Sequence, residues 1–164
     1  MSTYYFLPTR NVFGEGSVQE AGTLAKTLNV KKILIVTDAF LAKSGMADNV
    51  AKIYQEAGID VHIFGGAEPN PTDKNVAAGI ECYREHGCNG IVSLGGGSSH
   101  DCAKGIGLVA ANGGNIRDYE GVDKSSNDMI PLMAINTTAG TASEITRFCI
   151  ITDTERKVKM AIVD

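Results

Sequence analysis

Residues 95–97 are three consecutive glycines that follow the apolar stretch GIVSL and precede the polar run SSHDCAK. The pattern predicts a strand, a tight turn and the start of a helix. Glycine leaves room for a phosphate to approach the backbone, and the free N–H groups of the helix's first turn point at it. We therefore predict a pyrophosphate site here, with Ser98 as N-cap and Asp101 three positions later. Asp101 and Lys104 are interpreted as polar anchors beside the turn, and the alternative is an unliganded strand-to-helix turn.

The glycine turn departs from the common nucleotide-binding motifs. G-x-G-x-x-G would need glycine where His100 stands, and the Gly-Lys-Ser/Thr of a P-loop is missing. The usual fingerprint also places a ribose-binding acid about 20 residues after its glycines. Here Asp38, at the end of a predicted central strand, comes before them, so a dinucleotide site would use a different strand order. Asp38 either binds the adenosine ribose and repels the extra phosphate of NADP, or caps a helix or turn.

A second polar cluster, NTTAGTASE at residues 136–144, follows another predicted strand. Its hydroxyl groups are numerous enough to hydrogen-bond a ribose or a carboxamide, although hydroxyl-rich loops are common. The histidines His62, His86 and His100 match no metal-ligand spacing, and His100 and Cys102 would point in different directions on a helix. We therefore predict no metal site and no catalytic group among these residues. The four cysteines form no CxxC pair and are predicted to be reduced.

The composition is that of one ordinary folded domain. The chain has 164 residues, is 43% apolar and 21% charged, and carries a net charge of -4. This balance provides no basic stripe, so we expect neither nucleic acid nor membrane as a partner. No apolar run is long enough to span a bilayer, and the opening residues lack the pattern of a signal peptide. These features favour a cytoplasmic protein.

Alternating strand and helix patterns with short glycine-marked turns predict an α/β fold with a parallel sheet flanked by helices. Strands are predicted at 31–38, 59–64, 90–94 and 130–136, the last as a fourth core strand. Two more strands, joined by a charged turn, are predicted within 147–164. Helices are predicted from Ser17, with a Ser17–Glu20 capping box, around Met46 to Ala57, around Val76 to Tyr83, and from the glycine turn to about 111. A hairpin is predicted from 3–8 and 10–16.

These motifs together resemble the iron-containing (group III, metal-dependent) alcohol dehydrogenases. The resemblance rests on ILIVTDAF, EPNPT, GGGSSHDCAK, NTTAGTASE and KVKMAIVD, and it runs over nearly the whole chain. It is strongest to bacterial members that oxidise ethanol and other short primary alcohols, and to the related methanol and lactaldehyde/propanediol dehydrogenases. It implies a Rossmann-like NAD-binding domain like the N-terminal domain of dehydroquinate synthase, with NAD as cofactor, an alcohol or aldehyde as substrate, and a homo-oligomer. The NAD-binding residues that it implies are Asp38, Asn70, Gly96, Gly97, Ser98, Asp101, Thr137, Thr138, Thr141 and Lys159.

The resemblance also implies that the metal ligands, for Fe(II) or zinc, lie in a helical second domain beyond residue 164. We therefore expect residues 1–164 to be the NAD-binding half of a longer enzyme and to be inactive alone; the abrupt end on an apolar strand favours truncation. Three alternatives stay open: a relative of glycerol dehydrogenase, a stand-alone nucleotide-binding or interaction module without chemistry, and a structural fragment that pairs through its terminal strand.

Overall fold

A four-stranded parallel sheet lies at the centre of the computed structural model, which describes residues 9–164. The strands are β1 (Lys32–Val36), β2 (Asp60–Phe64), β3 (Gly90–Gly95), β4 (Gly121–Val122), β5 (Leu132–Asn136), β6 (Phe148–Asp153) and β7 (Val158–Val163). The parallel sheet has the strand order β2-β1-β3-β5, and a small second sheet has the order β4-β7-β6. Strands β6 and β7 form an antiparallel hairpin, as the sequence predicts.

Helices cover both faces of the parallel sheet, which confirms the predicted fold class. The α-helices are α1 (Ala21–Thr27), α2 (Ala39–Lys43), α3 (Met46–Glu56), α4 (Asp73–Glu85) and α5 (Gly97–Asn112). Short 3-10 helices span Ser17–Glu20, Ile116–Tyr119 and Ser143–Ile145. One core cluster joins the sheet to α1 and α3, and the other joins it to α4 and α5.

Strand β1 shows why an unbroken apolar run predicts a central strand. Ile33 and Ile35 belong to the core on one face, whereas Leu34 and Val36 belong to the core on the other. All four side chains are completely buried. Because successive side chains of a strand point to opposite faces, a strand covered on both sides must be apolar at every position.

Three predictions outside the glycine turn are wrong within the described residues. Gly16, in a left-handed conformation, takes the N-cap position, so Ser17 already lies inside a 3-10 turn and makes no capping box with Glu20. Of the predicted hairpin, residues 3–8 lie outside the described part of the chain, and residues 10–16 form no strand. Strand β5 pairs only with β3 at the edge of the sheet, and none of its side chains is fully buried, so it is not the core strand that the sequence predicts.

Candidate functional site

The carboxyl ends of β1, β3 and β5 lie at the same end of the parallel sheet. After β1 the chain crosses to β2 on one side, and after β2 it returns to β3 on the other side of β1. The direction of winding therefore reverses between β1 and β3, and open α/β sheets bind ligands at such a switch point. Asp38 follows β1 and the glycine turn follows β3, so the strand order brings together two segments that the sequence separates.

The glycine turn leaves open space over the start of α5. Gly95 has φ +142°, and a Cβ there would lie 2.5 Å from the Ser99 Oγ atom. Gly96 is the N-cap and supplies no side-chain cap, so the first N–H groups of α5 are left for a ligand. A Cβ on Gly96 would lie 3.1 Å from the Thr138 Oγ1 atom, and one on Gly97 3.1 Å from the Thr141 Cγ2 atom. A side chain at any of these three positions would therefore occupy the space next to the turn.

The predicted N-cap, Ser98, is wrong: Ser98 is the second residue of α5, and its hydroxyl accepts a 3.4 Å hydrogen bond from the Asn70 backbone N–H. The helix begins earlier because Gly96 has the extended backbone of a cap. Ser98 still lines the cleft described below.

Asp38 is the N-cap of α2. Its Oδ1 atom accepts hydrogen bonds from the N–H groups of Phe40 (2.8 Å) and Leu41 (2.9 Å). The second carboxylate oxygen, Oδ2, takes no part in this cap, and the side chain is half-buried at the edge of the sheet. The capping alternative is therefore realised, and the same carboxylate still has an oxygen for a ribose hydroxyl.

A cleft of about 380 Å³ opens between the first turn of α5 and the β6–β7 hairpin. It brings together six of the ten predicted cofactor-binding residues: Asn70, Gly97, Ser98, Asp101, Thr141 and Lys159. The other four, Asp38, Gly96, Thr137 and Thr138, lie outside its lining. Gly96 and Thr138 are neighbours across the glycine turn, and the Thr137 N–H donates to the Gly95 carbonyl oxygen over 2.9 Å.

Asn70 and Lys159 join the two walls of the cleft. The Lys159 Nζ atom donates a 2.6 Å hydrogen bond to the Asn70 Oδ1 atom. Asn70 has φ +56°, a left-handed conformation that asparagine tolerates better than most residues. Its backbone N–H donates to the hydroxyl of Ser98, so Asn70 contacts both the first turn of α5 and the hairpin.

Buried polar contacts fix the loop that follows β5. The Ser143 hydroxyl donates to the Asp101 Oδ1 atom over 2.7 Å and accepts from the Lys104 Nζ atom over 3.2 Å. Lys104 also donates to the carbonyl oxygens of Thr146 and Phe148, each over 2.8 Å. Burial lowers the pKa of Lys104, although nearby Asp101 opposes the shift. Lys104 therefore holds the loop from beneath the cleft.

An ion-pair network fixes the far end of the hairpin. Arg117 donates to Asp73 at the start of α4. It also pairs with Asp153, the last residue of β6, and with Glu155 in the turn that follows. Burial raises the pKa of Asp73, but hydrogen bonds from Arg117 and Thr154 bring it below its ordinary value. The network connects the second sheet to the helices of the first.

The three histidine side chains have partners within the protein, and the Cys102 side chain is buried. His100 is completely buried and contacts Ser93 and Asn136. Cys102 is also buried, and burial raises the pKa of its thiol to about 12. The rings of His62 and His86 stack with centroids 3.8 Å apart. Across residues 9–164, no group of three or more His, Cys, Asp or Glu side chains could hold a metal ion, so these residues do not fit a metal cofactor.

Sequence reasoning missed one wall of the cleft. Strand β6 contributes Phe148, Ile150 and Thr152, and Pro71, Ser143 and Thr146 complete the lining. The sequence predicts the strand, and because side chains along a strand alternate between its two faces, Phe148, Ile150 and Thr152 must share one face. What the sequence did not show is that this face turns toward α5. No helix in the described range is long and apolar enough to cross a membrane.

Comparison with known proteins matches the chain to a family and to solved structures. The NAD-dependent methanol dehydrogenase of Bacillus methanolicus is 52% identical over 162 residues, covering 99% of this chain and 42% of that protein. A solved 1,3-propanediol oxidoreductase superposes with TM-score 0.95 at 46% identity, covering 100% of this chain and 43% of that one. Sulfoacetaldehyde reductase from Bifidobacterium kashiwanohense, solved in complex with NAD+, gives TM-score 0.90 at 31% identity, with coverages of 100% and 43%.

The chain thus spans less than half the length of these relatives. The family model described as iron-containing alcohol dehydrogenase matches residues 8–164, which is almost the whole chain. The chain belongs to the iron-containing alcohol dehydrogenase family.

Proposed function

We propose that residues 1–164 are the NAD-binding domain of an NAD-dependent alcohol dehydrogenase that acts on a short primary alcohol or the corresponding aldehyde. The observation that carries the proposal is the juxtaposition, at the switch point of the sheet, of an acid after β1 and an uncapped glycine turn after β3. The names of the relatives support the choice of NAD and of an alcohol.

The glycine turn would hold the pyrophosphate. The N–H groups at the start of α5 are aligned with the helix dipole, which adds about half a positive charge. Gly96 and Gly97 keep the space above these groups open, and the hydroxyls of Thr138 and Thr141 border it. The donors and the open space fit a diphosphate, which needs both close approach and several N–H or O–H partners.

Asp38 would bind the adenosine ribose with the carboxylate oxygen that does not cap α2. An ionised carboxylate accepts hydrogen bonds from two vicinal hydroxyls but repels a phosphate at the same position. Asp38 would therefore favour NAD over NADP. Asn70 and Lys159 would contact the cofactor from the hairpin side, since both line the cleft beside Ser98.

The nicotinamide ring, when bound, supplies the acceptor or donor of a hydride. This chain's own contribution is to bind and orient the cofactor, with Asp101, Thr141 and Ser143 along the cleft. We propose that the metal ligands lie outside residues 9–164, in the part of the relatives that this chain does not cover. On this proposal the 164 residues alone bind NAD without turning over an alcohol.

Asp38→Asn tests the proposal while preserving the α2 cap, because asparagine caps helices about as well as aspartate. The dissociation constants of NADH and NADPH would be measured by nicotinamide fluorescence for the wild type and the variant. We expect the wild type to prefer NADH and the variant to lose most of that preference. An unchanged preference in a folded variant would refute the role of Asp38, and failure of the wild type to bind NADH would refute the proposed function.

A further inference from the structure

His100 lies beneath the glycine turn and contacts two strands of the sheet. Its Nδ1 atom is 2.7 Å from the Ser93 hydroxyl of β3, and its Nε2 atom is 3.2 Å from the Oδ1 atom of Asn136, the last residue of β5. His100 and Ser93 are completely buried. The ring therefore bridges the strand before the glycine turn and the strand before the hydroxyl-rich loop.

The hydrogen-bond partners determine which ring nitrogen of His100 donates and which accepts. The Asn136 Oδ1 atom also faces the Thr138 backbone N–H, at 3.4 Å, so it acts as an acceptor. The His100 Nε2 atom must then carry the proton and donate to Asn136, which leaves Nδ1 to accept from the Ser93 hydroxyl. The result is one chain of hydrogen bonds from β3 through the imidazole to the loop that contains Thr138.

The surroundings keep the ring neutral. Burial lowers the pKa of His100, while its contact with Asn136 and the nearby carboxylates of Glu144 and Asp101 oppose the shift, and Lys104 adds to it. A neutral imidazole has one donor and one acceptor, which are the two functions that Ser93 and Asn136 require. The ring is thus matched to both neighbours without a metal ion.

The loop held in this way lies against the glycine turn. A Cβ on Gly96 would be only 3.1 Å from the Thr138 Oγ1 atom, so displacing residues 136–138 by a few tenths of an ångström would change the space over the turn. The Thr137 N–H also donates to the Gly95 carbonyl oxygen, so the loop and the turn are in direct contact.

We propose that His100 is a positioning residue for the cofactor site: through its Nε2–H bond to Asn136 it sets the distance between residues 136–138 and the glycine turn. This inference rests on the proposed function, because the ligand it concerns is NAD. The residue touches no part of the ligand itself and acts through Asn136. Its effect falls on the pyrophosphate and nicotinamide side, since Asp38, on the ribose side, follows a different strand.

Two amide substitutions separate the two ends of the ring. In His100→Gln the side-chain amide nitrogen can reach the place of Nε2 and keep the donor to Asn136, while the acceptor for Ser93 is lost. In His100→Asn the shorter amide can replace Nδ1 and keep the acceptor for Ser93, while the donor to Asn136 is lost. The dissociation constants of NADH and AMP would be measured for both variants, with urea unfolding as the measure of stability.

The inference predicts that His100→Asn weakens NADH binding by about tenfold and AMP binding by less than about twofold. His100→Gln should bind NADH like the wild type, even though both variants lose stability. Equal NADH affinities in the two variants, whatever their stability, would overturn the inference and reduce His100 to a structural residue.

Asn136→Ala provides a second route if His100→Asn does not fold, because Asn136 is exposed and the substitution removes no apolar side chain from the core. This variant removes the acceptor and should also weaken NADH binding about tenfold; unchanged binding would overturn the inference. Failure of the wild type to bind NADH would instead refute the proposed function, and this inference with it.

Discussion

Replacing Gly97 by alanine should weaken NADH binding while leaving the fold intact. The added Cβ would lie 3.1–3.2 Å from the Thr141 side chain, which stands at the rim of the cleft and can move by a few tenths of an ångström. Gly97 is the first residue of α5 and has no left-handed φ, and alanine favours a helix over glycine by up to about 1 kcal/mol. We therefore expect the free energy of unfolding to change by less than about 1 kcal/mol.

Binding should respond more strongly, because the methyl group occupies the space through which a phosphate reaches the first N–H groups of α5. Losing one hydrogen bond to a charged group costs about 1.5–3 kcal/mol, which corresponds to an increase in the dissociation constant of roughly 10- to 150-fold. A fluorescence titration with NADH would measure the change, and urea unfolding would measure the stability.

Gly107→Ala is the matched control, since it makes the same change on the same helix. Its Cβ would meet the Met129 sulfur at 2.9 Å, and Met129 is a flexible side chain remote from the glycine turn. This variant should bind NADH like the wild type. If Gly97→Ala is folded and also binds NADH like the wild type, the assignment of the glycine turn to the pyrophosphate is refuted.

Three further outcomes follow from the geometry. Gly79→Ala should destabilise the protein by about 1–3 kcal/mol, because its Cβ would lie 2.2 Å from the Ile106 Cδ1 atom. Ile106→Val removes that atom. The double variant should therefore lose less stability in urea unfolding than the sum of the two single variants. Hydrogen bonds from Arg156 lower the pKa of Asp153 to about 2 from 3.8. The ionised carboxylate therefore stabilises the fold above about pH 4, and this contribution is lost as the pH falls toward 2. The free energy of unfolding of Asp153→Asn should decrease less steeply than that of the wild type over that range. Lys159→Met should weaken NADH binding and reduce its salt dependence, because a cation of the cleft is removed.

The sequence predicts the core elements well because their determinants are local. Strand β1 is apolar at every position since both of its faces are covered, and the strand–glycine–helix pattern at residues 90–112 requires no knowledge of the rest of the chain. The sequence position of Asp38, which precedes the glycines, also predicts a strand order that differs from that of the usual dinucleotide fold. The order β2-β1-β3-β5, which makes Asp38 and the glycine turn neighbours, agrees with it.

The remaining features depend on contacts between distant segments. The Asn70–Lys159 hydrogen bond joins residues 89 positions apart, and nothing in either segment specifies the other. The predicted helix starts at Ser17 and Ser98 are wrong, because in each case a glycine just upstream occupies the N-cap position. Propensity identifies serine as a good cap, but the backbone at the end of the preceding segment decides which residue caps.

The most direct test of the account is a residue-resolved titration of the isotope-labelled chain with NADH, followed by its backbone amide chemical shifts. We predict the largest shifts at residues 95–99, with further shifts at 38–41 and 137–141. The shifts at 38–41 should be smaller with AMP that lacks its ribose hydroxyls than with AMP. The second groove, between α4 and residues 114–116, serves as the internal control. Shifts confined to that groove, or none at residues 95–99, would contradict the claim that the glycine turn binds the cofactor.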